Sequence, residues 1–275
     1  MSGQTGFVDV EGLRLAYLRE GPSGAPAVVL LHGWASSSRM WHSTQAALAG
    51  VFDTVAIDLP GHGSSAKPPW EWYTIDRFTL AVRQACQALG LPRASFVGHS
   101  MGGTIALELA AGGRMGLGRL VLVNPVVSGH VNQFARPIRE QWMRPVVRVS
   151  RRLWPMASRL LTRPPAAVRS RLPRHFIRNQ EDLAQTTADS ALGSIQAVLT
   201  WDVRGRLADI HVPTLVIVGD ADRTVSPREG LVAAEHIAGA RLWRFPGGHN
   251  PSDEDPEAFE ATLASFLAPE RNVRE

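Results

Sequence analysis

The sequence predicts an α/β chain, with a mostly parallel, doubly wound sheet, helices on both faces and a helical insertion before the last strands. Three observations carry this. Short continuous apolar runs, such as Ala27–Leu31 and Thr214–Val218, read as strands covered on both faces, and they alternate with segments of helical spacing. Glycine-rich loops follow three such runs, at His32-Gly33-Trp34, at Asp58–Ser65 and at Gly98–Gly103, where open α/β sheets hold their reactive groups. Strand-like runs stop at Pro125 and resume at Thr214. The expected organisation is a core of residues 1–125 and 208–275, with residues 126–207 as a helical cap.

Each element has its own signal. Phe7–Val10 and Leu13–Leu18 alternate around Glu11-Gly12 and predict an antiparallel hairpin at a sheet edge. After the run at Ala27, Ser36-Ser37-Ser38 opens a helix expected over about Met40–Leu48, and Val51–Ile57 is the next strand. Helical spacing returns over Asp76–Leu89, and Ala94–Val97 leads into the loop at Gly98. Leu120–Val123 is a further strand, closed by Asn124-Pro125. In the insertion, Trp142, Val146, Val149, Leu153 and then Leu192, Ile195, Leu199 have helical spacing, which Pro145 and Pro155 are expected to interrupt. Ser226-Pro227-Arg228-Glu229 reads as a capping box with proline in the first turn. Arg241–Phe245 is the last strand, and Pro256–Leu267 the last helix.

Composition excludes several classes. Cys86 is the only cysteine among 275 residues, so an internal disulfide and a cysteine metal cluster are ruled out, and its helical neighbours Val82 and Leu89 place it in the core. No window has the length of a membrane-spanning helix, and the small, polar start Met1–Gly6 predicts a cytoplasmic protein. No glycine loop is followed by a phosphate-binding lysine and no residues have metal-ligand spacing, so no cofactor and no metal are implied. The net charge of +4 is divided unevenly: Arg136–Arg178 holds twelve arginines against the single acid Glu140, so that segment is +11 and the remainder −7. Such a surface suits an acidic acyl-carrier partner or an anionic membrane surface; nucleic acid is not expected, because no recognition motif accompanies the charge.

The chemistry starts at Gly98-His99-Ser100-Met101-Gly102, between a strand and a helix. A serine at the apex of such a turn has its hydroxyl pushed clear of the sheet, and the flanking glycines let neighbouring backbone approach. Ser100 is the candidate nucleophile.

From about Phe7 to Leu267 the chain resembles the α/β-hydrolases. The match rests on His32-Gly33-Trp34, Asp58–Ser64, Gly98–Gly102 and Gly247-Gly248-His249, in that order and spacing. The resemblance implies an eight-stranded sheet, His249 as general base, and an acid after the strand at 214–218. Gly219-Asp220-Ala221-Asp222 offers two; the family spacing from Gly219 to Pro227 favours Asp222, and Asp220 is the alternative acid or else bonds turn amides. It also implies an oxyanion hole from the backbone amides of Trp34 and Met101. His32, His99, Val126 and Trp142 are expected around the substrate pocket, with His32 also bracing the oxyanion loop. The expected activity is hydrolysis of a small to medium carboxylic ester through an acyl-enzyme. The alternatives are a carbon–carbon bond hydrolase, a hydrolase of carrier-protein-linked esters or thioesters, and a non-enzymatic small-molecule receptor.

Overall fold

One eight-stranded sheet organises the computed structural model, which describes residues 3–113, 115–129, 143–162, 172 and 174–268. The strands are β1 (Gln4–Val10), β2 (Leu13–Glu20), β3 (Ala27–Leu31), β4 (Asp53–Ile57), β5 (Arg93–His99), β6 (Gly116–Val123), β7 (Thr214–Gly219) and β8 (Arg241–Phe245). Their spatial order is β1-β2-β4-β3-β5-β6-β7-β8. The first two contacts, β1 with β2 and β2 with β4, are antiparallel, and all later ones are parallel. The β1–β2 hairpin turns on Glu11 at φ 47° and Gly12 at φ 77°, the pair of left-handed residues that a tight hairpin with right-handed strand twist requires.

The continuous apolar runs are buried on both faces, as expected of parallel strands. Val29 and Leu31, Phe96, Leu120 and Leu122, Val216 and Val218 point into one core layer. Their alternates Val28, Leu30, Val97, Val121, Val123, Leu215 and Ile217 point into the other. The first layer is covered by α2 (Ile75–Ala88), through Phe78, Val82 and the fully buried Cys86, and by α3 (Met101–Ala111), through Ile105 and Leu109. Thr74 caps α2 by accepting the Arg77 amide at 3.2 Å. The second layer is covered by α1 (His42–Leu48) and the C-terminal helix Pro256–Leu267, where Trp41 stacks on Phe259.

Several local expectations shift. The helix expected from Met40 is a 3-10 turn, Ser38–Trp41, leading into α1, and β4 starts at Asp53 because the amides of Val51 and Phe52 still bond Leu48 at the end of α1. Between β6 and β7 lie α4 (Met143–Thr162), α5 (Arg174–Ala184), α6 (Ala188–Leu199) and a 3-10 segment, Arg204–Asp209. The prolines do not interrupt α4: Pro145 falls in its first turn, where an amide has no helical acceptor, and the helix continues through Pro155. The helix α7 (Pro227–His236) does have Ser226 at its cap, accepting the Arg228 amide at 3.4 Å, but no capping box forms. Glu229 turns inward instead and accepts the Val127 and Ser128 amides, both at 2.8 Å, since two buried amide donors outweigh one at the helix start.

Polar contacts hold the helices after β6 against the sheet loops. The Asp182 carboxylate on α5, fully buried, accepts from the Ser37 hydroxyl at 2.9 Å and the Arg39 guanidinium at 3.0 Å. Arg178 makes a two-pronged pair with Asp253 at 2.9 and 2.7 Å. On α6, Ser190 accepts from the Tyr73 hydroxyl at 2.9 Å, and the Ala191 carbonyl from the Trp34 indole at 2.8 Å.

Candidate active site

The candidate site forms where β3, β5, β6, β7 and β8 end. Ser100 joins β5 to α3 at φ 52°, ψ −114°, a left-handed conformation for a residue with a side chain, which costs on the order of 1–3 kcal/mol and persists only when surroundings enforce it. The enforcement is visible. Its amide donates to the Val123 carbonyl at 2.9 Å, its carbonyl accepts from the Thr104 amide at 3.1 Å, and a Cβ on Gly102 would collide with the Leu31 carbonyl oxygen. Gly102 is therefore required by the close approach of β3, and Gly98 by the backbone of Gly102 and Gly103 at the start of α3.

His249 lies in the loop after β8. Its Nδ1–H donates to Asp222 Oδ2 at 2.6 Å, so its Nε2 is the acceptor, and the other Asp222 oxygen accepts the amides of Thr224 at 2.7 Å and Val225 at 3.0 Å. Three donors and burial down to 1% side-chain exposure hold that carboxylate in one orientation. Asp220 bonds no turn amides; it faces outward and pairs with Arg244 at 2.9 Å. Of the two aspartates, Asp222 meets the imidazole.

The remaining predicted residues divide. Gly33 packs against both Ser100 and His99, since a Cβ there would lie 3.3 Å from the Ser100 Cβ and 2.7 Å from His99 Nδ1. This brings the loop carrying Trp34 beside the serine. Neither the Trp34 nor the Met101 amide meets an acceptor among the described residues, and Met101 is the first residue of α3, where helical amides are free. The Ser100 hydroxyl forms no hydrogen bond to His249 among the described residues, although the His99 and His249 rings are 4.6 Å apart.

Three of the residues expected around the pocket are buried. His32 is fully buried, donates from Nδ1 to the Gly33 carbonyl at 2.7 Å and accepts the Leu59 amide on Nε2 at 3.0 Å, and so ties two loops together. Burial pushes its pKa down to about 4, so the ring stays neutral and keeps both bonds. His99 is buried too and donates from Nε2 to the His249 carbonyl at 2.8 Å; burial first, then the neighbouring His249, hold its pKa well below 6.5. It supports the histidine loop from beneath. Val126 belongs to the hydrophobic core, its carbonyl accepting the Thr104 hydroxyl at 2.9 Å. Trp142 lies outside the described residues.

Sequence reasoning passed over Asn124. At φ 45°, its Oδ1 accepts the Gly219 amide at 2.7 Å, while its Nδ2 donates to the carbonyls of Gly248 at 3.2 Å and His249 at 3.0 Å. One side chain thus ties the start of the acid loop to the histidine loop. Glu254 holds the same loop from outside, accepting the Gly248 amide at 2.6 Å and the Asn250 amide at 3.1 Å. The only available signal was an asparagine next to proline at a strand end, which also fits an ordinary turn.

No group of three metal-binding side chains occurs among the described residues. Two grooves of about 430 and 610 Å³, one beside Glu108 and Arg206 and one beside Arg19 and Asp53, contain none of the groups just described, so the site is assigned by chemistry and not by hollow volume.

Comparison with known proteins finds hydrolases. The chain is similar over 98% of its length to a hydrolase from Pseudomonas aeruginosa, covering all of that chain at 31% identity and TM-score 0.82. An enol-lactonase from Burkholderia xenovorans matches over 95% of this chain and 99% of its own, at 28% identity and TM-score 0.77. A putative carbamate hydrolase, RutD, from Pseudomonas savastanoi pv. phaseolicola is 31% identical over 88% of this chain and 94% of its own. The family model described as "alpha/beta hydrolase fold" matches residues 26–256, and with the sheet order and the Ser100, Asp222 and His249 loops in place, the chain belongs to the α/β-hydrolase family.

Proposed function

We propose that the chain is a serine hydrolase that cleaves a small to medium carboxylic ester through an acyl-enzyme. The observation that carries this is the 2.6 Å Asp222–His249 hydrogen bond beside a serine held in a strained strand-to-helix turn. A serine hydroxyl is a poor nucleophile unless a base takes its proton in the transition state, and a neutral imidazole with Nδ1–H fixed on a carboxylate presents Nε2 for that purpose. Ser100 Oγ attacks the ester carbonyl carbon while its proton passes to His249 Nε2. The resulting oxyanion is held by the Trp34 and Met101 amides, each worth about 3–4 kcal/mol in the transition state. Collapse expels the alcohol oxygen, which takes the proton from His249, and the acyl group stays on Ser100. Water then gives a proton to His249 and attacks the acyl carbonyl, releasing the acid and returning the proton to Ser100. The serine–imidazole bond closes when substrate is bound, as catalytic contacts commonly tighten in the Michaelis complex.

Residues 126–207 act as the cap over this site, and the Arg178–Asp253 pair and the Trp34–Ala191 bond are the contacts through which that cap bears on the histidine and oxyanion loops. The enol-lactonase and carbamate hydrolase relatives support a carbonyl bonded to a heteroatom as the target, because both names describe attack on such a group.

The test is steady-state turnover of p-nitrophenyl acetate, butyrate, octanoate and dodecanoate by the wild type and by Ser100→Ala. Turnover by the wild type alone is expected, with the chain-length optimum reporting pocket depth. Equal turnover by both proteins contradicts the reading. If both fold and neither turns over, carrier-linked esters or thioesters, carbon–carbon cleavage and ligand sensing become the alternatives.

A further inference from the structure

Helix α4 exposes three large apolar side chains. Its sequence holds five arginines and no acid. Val149, Leu153 and Met156, spaced four and three residues apart, are 58%, 51% and 61% exposed, so they form one apolar stripe about 10 Å long on the outer surface. Arg148 and Arg152, also exposed, run along one edge of that stripe at the angles that 100° per residue dictates. The opposite side faces the body of the protein: the Trp154 indole donates to the Thr186 carbonyl at 3.0 Å, Ser158 is buried, and Arg151 pairs with Asp189 at 2.7 Å. Among its described side chains, the helix thus presents three apolar groups outward, where an ordinary surface helix presents polar ones. Phe176, 45% exposed on α5, which packs against α4, adds another large apolar group.

We propose that α4 is a docking face for an anionic lipid surface, on which the helix lies in the plane of the headgroups. The charge pattern and the stripe have to be explained together. A bilayer interface takes apolar groups below its phosphates and guanidinium groups at them, which accounts for the stripe and the arginines along its edge together; an acidic protein partner is the competing outcome of the test. No helix among the described residues is long and apolar enough to cross a membrane, so the contact is peripheral. Each basic group near such a surface is worth about a fivefold gain in affinity, and the effect decays with salt.

The test is co-sedimentation of the full chain with vesicles of phosphatidylcholine alone and of phosphatidylcholine mixed with phosphatidylglycerol. We expect at least about tenfold tighter binding to the anionic vesicles, weakened by salt. The pair Arg148→Glu and Arg152→Glu should abolish that preference, and the pair Leu153→Asp and Met156→Asp should lower binding by about tenfold with the circular dichroism spectrum and Tm kept. A second readout does not depend on those variants folding. Cys86 is buried and its thiol is pushed up to about 12, so an environment-sensitive fluorophore on Met156→Cys labels one site. Its emission should shift to the blue on anionic vesicles, and the same probe on Glu235→Cys, exposed on α7, should not shift. Equal binding to both vesicles, wild-type binding by the Leu153→Asp, Met156→Asp pair, or capture of an acidic polypeptide without lipid binding would each overturn the proposal.

Discussion

The loops at the carboxyl ends of the strands and the outer face of α4 handle polar and apolar groups in opposite ways. Around Ser100 the polar side chains are turned inward onto main chain: His32 on Leu59 and Gly33, Asp58 on the Ser38 and Ser64 amides, Asn124 on Gly219 and His249, Asp222 on Thr224 and Val225. On α4, Val149, Leu153 and Met156 are turned outward, beside Arg148 and Arg152. A loop cluster built the first way holds few groups at fixed positions, which suits chemistry that fails when a reacting atom moves by about 1 Å. A helix built the second way tolerates substitution and is suited to contact with something outside the chain. If the contrast is right, substitutions in the two regions should fall on different readouts.

The largest effect is expected from Asp222→Asn, which leaves the shape but reverses the hydrogen bond that selects the imidazole tautomer. kcat for ester hydrolysis should fall by about 10⁴-fold, while Asp220→Asn, whose carboxylate meets only Arg244, should stay close to wild type. Equal losses for the two aspartates would break the assignment.

Next in size is the acid sensitivity of the buried histidines. Burial pushes His32 down to about 4 and His62 down to about 3, and holds His99 well below 6.5. The unfolded chain takes up a proton on each near pH 6.5, while folded His32 does so only near pH 4. Stability is therefore full above pH 6.5 and is lost as pH falls toward 4, by up to about 1.4 kcal/mol per pH unit for each histidine. Urea midpoints between pH 7.5 and 4.5 should show this slope, and His32→Asn should be less stable at pH 7.5 yet fall more gently. An unchanged slope in that variant would remove His32 from the explanation.

Asn124→Ala comes third. Losing three bonds between the acid and histidine loops should cost about 1–3 kcal/mol of stability and lower kcat by about 10- to 100-fold with KM little changed. A change confined to Tm would reduce Asn124 to a packing role.

Which parts of this were legible in the sequence follows from how local each signal is. Ser100 between two glycines and the strands buried on both faces are written within a few residues, so they are read directly, whereas His249 was reached through the resemblance. The resemblance then narrowed the acid to Asp222, with Asp220 kept as the alternative; the geometry places only Asp222 against the imidazole. Asn124 was not legible because its partners lie 95 to 125 residues away, and only the register of β6 beside β7 brings them together. The capping box at Ser226 failed for a related reason: Glu229 had amide partners about 100 residues distant that local reading does not weigh. His32 and His99 were expected around the pocket, His32 also as a brace of the oxyanion loop; His32 bonds two neighbouring loops, and His99 bonds the His249 carbonyl through Nε2.

The smallest effects belong to α4. Arg152→Ala or Leu153→Ser should change stability by no more than about 0.5 kcal/mol and leave hydrolysis of a soluble ester as it is, since both side chains are exposed. Thermal melts and p-nitrophenyl ester kinetics would check both. A large loss of stability would mean that this face is covered in solution, and the contrast drawn above would fail.

The account's central claim is that Ser100 carries the acyl group, activated by the His249–Asp222 pair. Intact-mass and peptide mass spectrometry after reaction with an alkyl fluorophosphonate test it most directly, because the phosphonyl group mimics the tetrahedral state and stays bound. The account predicts a single adduct, on Ser100, absent from Ser100→Ala and formed far more slowly by His249→Ala. An adduct on another residue, or ester turnover by a wild-type protein that forms none, would contradict it.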